Sequence, residues 1–274
     1  MLEIAFLLLA LIVLASIAIP PLRHKALQIR RSRAIKRIQR LRNTRVITLI
    51  HRQERLSILG IPLLRFIDVE DAEKVLRAIR LTPPDQPIDL IVHTPGGLAL
   101  PAQQIAYALK QHRAPVTVMV PHYAMSGGAL IALAADEIMA DPNAVLGSVD
   151  PQVGWRWYPL PAHSVLSVLS QKDRGVVDDT TLILADVASK AVRQMGDFVS
   201  YLLSDNLGAQ PARAIAQALT DGRWTHDFPL TVPTLVQLGL PVRAGLPAEV
   251  YALMDLYPQQ AERRPAVQYT STLD

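Results

Sequence analysis

Two glycine turns, each closing a run of aliphatic residues, constrain this chain more than any other feature. IDLIVHTPGG (88–97) and TVMVPHYAMSGG (117–128) end alike, with Gly96 and Gly127 standing 31 residues apart. That spacing is about one strand–helix–strand unit. Right-handed crossovers return parallel strands with the same ends together, so both turns fall at the carboxyl edge of one sheet, where open α/β sheets bind ligands. The surrounding pattern agrees. Residues 45–50, 87–93 and 115–120 read as strands, while 68–80, with Asp68 as cap, and 100–112 read as helices. An Ala- and Leu-rich helix opens near Ser126. Alternating strands and helices predict an α/β fold with parallel pairing.

A serine between strand and helix is either a helix cap or a nucleophile presented at the sheet edge. Gly96, Gly97, Gly127 and Gly128 let backbone amides approach a substrate closely, and a helix beginning near Ser126 adds partial positive charge. Together they could stabilise the oxyanion of an acyl-transfer intermediate. On the other reading Ser126 caps the helix and the glycines only permit tight turns. Two chemistries drop out: no Gly-Lys-Ser/Thr follows either turn, as a phosphate-binding loop needs, and Ala124 stands where a Gly-x-Ser-x-Gly elbow has its first glycine.

A serine nucleophile requires a proton acceptor. His122 lies four residues before Ser126, His93 ends the neighbouring strand, and His163 and His226 lie downstream. Of the six lysines only Lys172 and Lys190 follow the turn. Lys190 belongs to a long helical pattern (180–203), where an exposed face accounts for it. Lys172 follows an apolar, proline-containing segment (155–169) that could cover a site; burial would then lower its pKa and let it act as a base. Beside Asp173 it reads as a surface lysine instead.

Residues 4–22 are nineteen uncharged positions rich in Leu, Ile and Ala, which at about 1.5 Å per residue span the hydrocarbon core of a bilayer. This predicts a transmembrane helix (1–22) ended by Pro20-Pro21. A cleaved signal peptide would carry positive charge ahead of the apolar run, where only the amino terminus and Glu3 stand. A basic juxtamembrane segment (23–45) follows and holds ten of the 28 Lys and Arg residues. Without residues 1–45 the chain has 18 basic and 23 acidic residues, a net of −5. No nucleic-acid partner is therefore expected, and the positive-inside bias places the catalytic domain in the cytoplasm. Leu27, Ile35, Ile38 and Leu41 suit a helix lying on anionic headgroups or a solvated charged helix. Residues 258–274 read as a flexible tail. The chain has no cysteine, which excludes disulfides, thiolate metal sites and Cys nucleophiles. No metal or nucleotide motif occurs, so no cofactor is implied.

Four segments in order, HTPGG, AMSGGALIALAADEI, LGSVDPQ and DGRWTH, resemble the ClpP-class serine peptidases. They are most similar to the signal peptide peptidase A group and the serine dehydrogenase proteinase family. The resemblance implies a ClpP/crotonase-like domain (46–257) and assigns roles to residues. Ser126 matches the nucleophile, the amides of Gly97 and Gly127 match the oxyanion hole with Gly96 in support, and Lys172 best matches a lysine base. Ser148 matches a serine able to hydrogen-bond that lysine. Clp protease has a histidine soon after its serine, whereas no His lies between His122 and His163 here, which favours a Ser-Lys dyad; a shift in alignment would make Lys190 or a histidine the base. The family further implies a homo-oligomer, and the apolar stretch 158–169 could line its axial surface. The expectation is a membrane-anchored serine endopeptidase acting through an acyl-enzyme on membrane-associated proteins or peptides. The alternative is a catalytically silent membrane scaffold that uses the fold for oligomerisation; acyl-CoA chemistry on a crotonase site is weaker, because crotonases need no serine at this turn.

Overall fold

The computed structural model describes the backbone of residues 2–51, 56–58, 61–63, 66–154 and 159–257, with side chains outside the described set at 2–5, 7–20, 23, 56–58, 61–63 and 174. The chain opens with helix α1 (Leu2–Arg42), followed by β1 (Arg45–Ile50) and an antiparallel pair, β2 (Leu56–Ile58) and β3 (Ile61–Leu63). Next come α2 (Val69–Arg80), β4 (Ile88–His93), α3 (Ala99–Lys110), β5 (Val116–Val120), β6 (Tyr123–Ala124) and α4 (Gly127–Ala132). Short strands β7 (Glu137–Ala140), β8 (Val145–Leu146), β9 (Gln152–Val153) and β10 (Leu160–Pro161) lead to helices α5 (Ala162–Gln171), α6 (Asp179–Leu207) and α7 (Ala209–Thr220). The fold closes with β11 (Leu230–Thr231), α8 (Val232–Gln237), β12 (Val242–Ala244) and α9 (Ala248–Met254).

The expected parallel sheet is present, in the order β1-β4-β5-β7-β12. Side chains alternate between its faces, as the two-residue period of a strand requires. Ile47, Leu49, Leu90, Val92, Val118 and Ile138 join the main core on one face, while Val46, Ile91, Met119 and Met139 join a second cluster on the other. Every residue of β4 is buried, as befits a strand covered on both faces. Helix α2 starts where Asp68 was expected to cap it: Asp68 accepts from the Asp71 amide, and Asp71 answers the Asp68 amide in a reciprocal capping box.

Helix α1 differs from the sequence reading in two respects. Its backbone continues through Pro20-Pro21 to Arg42 instead of ending there. A proline deletes its own helical hydrogen bond and crowds the preceding turn, but its φ is helical, so the direction persists when both flanks favour helix. The carboxyl half is also no separate juxtamembrane segment. Ile38, 1% exposed, lies among Val46, Ile91, Met119, Val250, Leu253 and Met254, with Ile35 packed alongside. Arg42 donates to the buried carboxylate of Asp89 at 2.5 and 3.1 Å, and the Thr44 hydroxyl adds a third bond at 2.7 Å. The hydrogen bond from Arg42 to Asp89 raises the Arg42 pKa above its ordinary value. The transmembrane expectation for 4–22 falls mostly on side chains outside the described residues, Phe6, Pro21 and Leu22 excepted. Among the described residues no helix is long and apolar enough to cross a membrane.

Candidate active site

Both glycine turns reach the same edge of the sheet. After β4, Thr94 bridges to Ala124, its amide donating to Tyr123 O (3.2 Å) and its carbonyl accepting from the Met125 amide (3.0 Å). The second turn then presents Ser126 at φ 50°, ψ −116°. A side chain with a Cβ pays about 1–3 kcal/mol for such a conformation, which persists only where its surroundings dictate it. Ser126 occupies the cap position of α4 yet makes no side-chain capping bond, so the strain is not there to serve a cap. What holds it is visible in the neighbours: Gly128 N donates to Met125 O (2.7 Å), Leu130 N to Ser126 O (3.0 Å) and Gly147 N to Ala124 O (3.0 Å).

The first turn is built against this serine. Gly96 has φ +104°, and a Cβ there would lie 2.8 Å from Ser126 Cβ. At Gly97 a Cβ would fall 2.3 Å from both N and O of Ile67, a collision with backbone that no rotamer relieves. The close approach comes from two hydrogen bonds, Ile67 N to Gly96 O (2.8 Å) and Leu98 N to Ile67 O (2.9 Å). A trans peptide holds its N–H opposite its C=O. With the Gly96 carbonyl turned to Ile67, the Gly97 amide therefore faces away from that backbone, and its nitrogen lies 3.7 Å from where a Gly127 Cβ would be. Gly97 and Gly127 thus lie close together beside Ser126.

The other expected residues are placed less simply. Ser148 is buried beside the turn, since a Cβ on Gly147 would lie 2.9 Å from Ser126 N. Its hydroxyl donates to Asp150 Oδ1 at 2.7 Å, which leaves its lone pairs able to accept a hydrogen bond. Lys172 caps the exposed carboxyl end of α5, its amide bonded to Leu169 O at 3.4 Å. Lys190 is exposed on α6 and paired with Asp186, as its helical setting implied. The described part of the apolar stretch, in α5, packs Ala162 and Val165 against Ala185 and Ala188 of α6; residues 155–158 lie outside the described set.

The sequence reading did not assign the pair that LGSVDPQ and DGRWTH bring together. His226 Nδ1 meets Asp150 Oδ1 at 2.8 Å, and Gln152 Nε2 donates to Asp150 Oδ2 at 2.8 Å. Burial pushes the Asp150 carboxyl up, but the bonds from His226 and Ser148 outweigh it and leave the pKa below its ordinary value. The bond to Asp150 raises His226 above the ordinary histidine value against the opposing effect of burial. Other histidines named as candidate bases make contacts of their own. His163 contacts Thr220 O at 2.7 Å, and His93 packs edge-on to His122 and against Tyr123.

A strained serine thus stands against two glycine turns at the edge of a parallel sheet. The model of the ClpP-like SDH-type serine proteinases matches residues 1–273, and this chain belongs to that family. Two uncharacterized proteins of Methanocaldococcus jannaschii are similar over most of its length. One is 56% identical over 240 residues, 88% of this chain and 80% of that protein. The other is 52% identical over 250 residues, 91% and 86% of the two. Among solved structures, ClpP1 from Listeria monocytogenes is 18% identical, with 76% of this chain and 96% of that one covered and a TM-score of 0.45. The chain is a serine peptidase with an α/β fold.

Proposed function

We propose that this peptidase is a membrane-anchored endopeptidase in which Ser126 attacks the peptide carbonyl and the amides of Gly97 and Gly127 receive the oxyanion. The observation that carries this reading is the strained backbone of Ser126, held without a capping bond against Gly96. In the forward step Ser126 Oγ bonds to the carbonyl carbon while its proton passes to a base. That proton then goes to the leaving amine, and water later releases the acyl group by the same route in reverse. Lys172 is the base that the family pattern favours. Only a neutral amine accepts a proton, so an exposed Lys172 needs cover from bound substrate or an adjoining copy to act.

His226 is the second reading, favoured by one observation: Asp150 holds its Nδ1. An acceptor-only carboxylate there fixes the tautomer and leaves Nε2 as the basic nitrogen. The apolar amino-terminal run anchors the protein, the basic flank keeps the domain in the cytoplasm, and the substrates are membrane-associated proteins or peptides. Turnover of a quenched fluorescent peptide by the purified full chain tests the scheme. Ser126→Ala abolishes it, and Lys172→Ala lowers it at least about a hundredfold while His226→Ala does not. The reverse result for the last two moves the base to His226. Full turnover by Ser126→Ala discards the mechanism and favours the silent scaffold.

A further inference from the structure

A buried histidine lies behind the first glycine turn, and no step of the proposed reaction uses it. His51 follows the last residue of β1; its amide donates to His93 O at 2.7 Å, extending the ladder one residue to the sheet edge. Both His51 and Thr94 are buried. His51 Nε2 lies 3.0 Å from Asp71 Oδ2, and His51 Nδ1 lies 2.9 Å from Thr94 Oγ1. The amide of Gly96 donates to the same Thr94 oxygen at 3.2 Å.

The proton order in this chain follows from what each group can do. An ionised carboxylate only accepts, so in the neutral imidazole Nε2 carries the ring proton toward Asp71 and Nδ1 is the acceptor. The single hydroxyl proton of Thr94 then has two candidate acceptors, His51 Nδ1 at 2.9 Å and Gly96 O at 3.3 Å. The shorter contact wins, and Gly96 O already accepts from Ile67 N at 2.8 Å. Donation therefore runs one way, from the Gly96 amide to Thr94, to His51, to Asp71. The far end is itself fixed, because Asp71 belongs to the capping box of α2. Directly before that cap stands Ile67, whose amide and carbonyl clamp the loop at Gly96 and Leu98. His51 thus joins the two supports of the Gly96–Gly97 peptide, while the backbone of Thr94 bonds to the Ser126 turn through Tyr123 O and the Met125 amide.

We propose that His51 and Thr94 are positioning residues for the peptidase reaction: they hold the Gly96–Gly97 peptide so that the Gly97 amide faces the developing oxyanion. This rests on the reading of Ser126 as nucleophile and Gly97 as oxyanion donor. The hydroxyl fixes the amide of Gly96, the Ile67 amide fixes its carbonyl, and between them the following N–H has one direction. Loosening one side lets the peptide rotate, and a misplaced donor can cost about a hundredfold in rate.

The test uses the purified full chain with Thr94→Val, His51→Leu and His51→Gln. Valine keeps the methyl shape of threonine and removes only the hydroxyl, and glutamine restores one donor and one acceptor where leucine has neither. Thr94→Val and His51→Leu are expected to lower kcat about ten- to a hundredfold with KM within about twofold, and His51→Gln to recover much of the loss. Affinity for a peptide aldehyde, whose adduct with Ser126 places an oxyanion at Gly97, falls by the same factor. Affinity for the corresponding unreactive peptide alcohol is unchanged. If His51→Leu does not fold, Thr94→Val carries the test. Wild-type kcat in folded Thr94→Val, or a loss confined to KM with aldehyde affinity intact, overturns the proposal. If the wild-type chain forms no aldehyde adduct and Ser126→Ala is active, the nucleophile reading itself falls and takes this proposal with it.

Discussion

Removing residues 1–45, the cut that the charge pattern suggests, should destabilise the domain severely, whereas removing residues 1–22 should not. The difference lies in two contacts made by the end of α1. The Asp89 side chain is 1% exposed on the interior strand β4, and Arg42 is its only basic partner among the described residues. Leaving such a carboxylate unpaired costs about 3–5 kcal/mol. Ile38 is buried against the sheet face and α9, and its loss withdraws roughly 2–3 kcal/mol of apolar burial. A total near 5–8 kcal/mol is comparable with the whole stability of a domain, about 5–15 kcal/mol. Urea unfolding followed by far-UV circular dichroism separates the two cuts. The 23–274 chain should give a cooperative transition and the 46–274 chain a much lower midpoint or none. Arg42→Leu in the longer chain isolates the ion pair, with an expected Tm loss of roughly 6–20 °C at about 2–4 °C per kcal/mol. Equal midpoints for both cuts, with Arg42→Leu unchanged, would refute the claim that α1 belongs to the domain.

Three further outcomes follow from the site and the proposed anchoring. Because the bond to Asp150 raises the His226 pKa, Asp150→Asn should return it toward about 6.5, readable by imidazole nitrogen NMR. In the native protein the pair's contribution to stability is complete below that ordinary value and is lost as pH rises through the raised one; at the acid end it fades as Asp150, whose pKa is lowered, takes up a proton. The 23–274 chain should scatter light as a homo-oligomer at micromolar concentration, and a monomer that still cleaves peptides would refute the assembly. A reporter fused after Asp274 should be active in the cytoplasm only, since ten cations follow the apolar run and translocating them opposes the positive-inside bias.

Much of the sheet is legible in the sequence because its strands are short runs set off by turns. Residues 45–50 form β1 as read, and the other two expected strands differ by a residue at one end. The stretch after Ser126 is less readable. ALIALAADEIMA is apolar except for Asp136 and Glu137, so periodicity cannot separate helix from strand there, and it is divided between the end of the six-residue α4 and the strand β7. Ser126 and the glycines announce themselves by local spacing. The supporting pairs do not, since Asp150 and His226 lie 76 residues apart and His51 and Thr94 lie 43 apart. Only the folded sheet edge brings them together. The same holds for Ile38 and Arg42, which look like parts of a charged membrane flank until Asp89 and the sheet face are seen opposite them.

The central claim, that Ser126 is a nucleophile and not a cap, is tested most directly by a fluorophosphonate. Intact-mass measurement of the labelled full chain should show one phosphonyl adduct, and peptide mapping should place it on Ser126. Ser126→Ala and chain unfolded before labelling should carry none, because reactivity depends on the assembled turn and its two amides. A folded wild-type chain that stays unlabelled, or an adduct on another serine such as Ser148, would contradict the account.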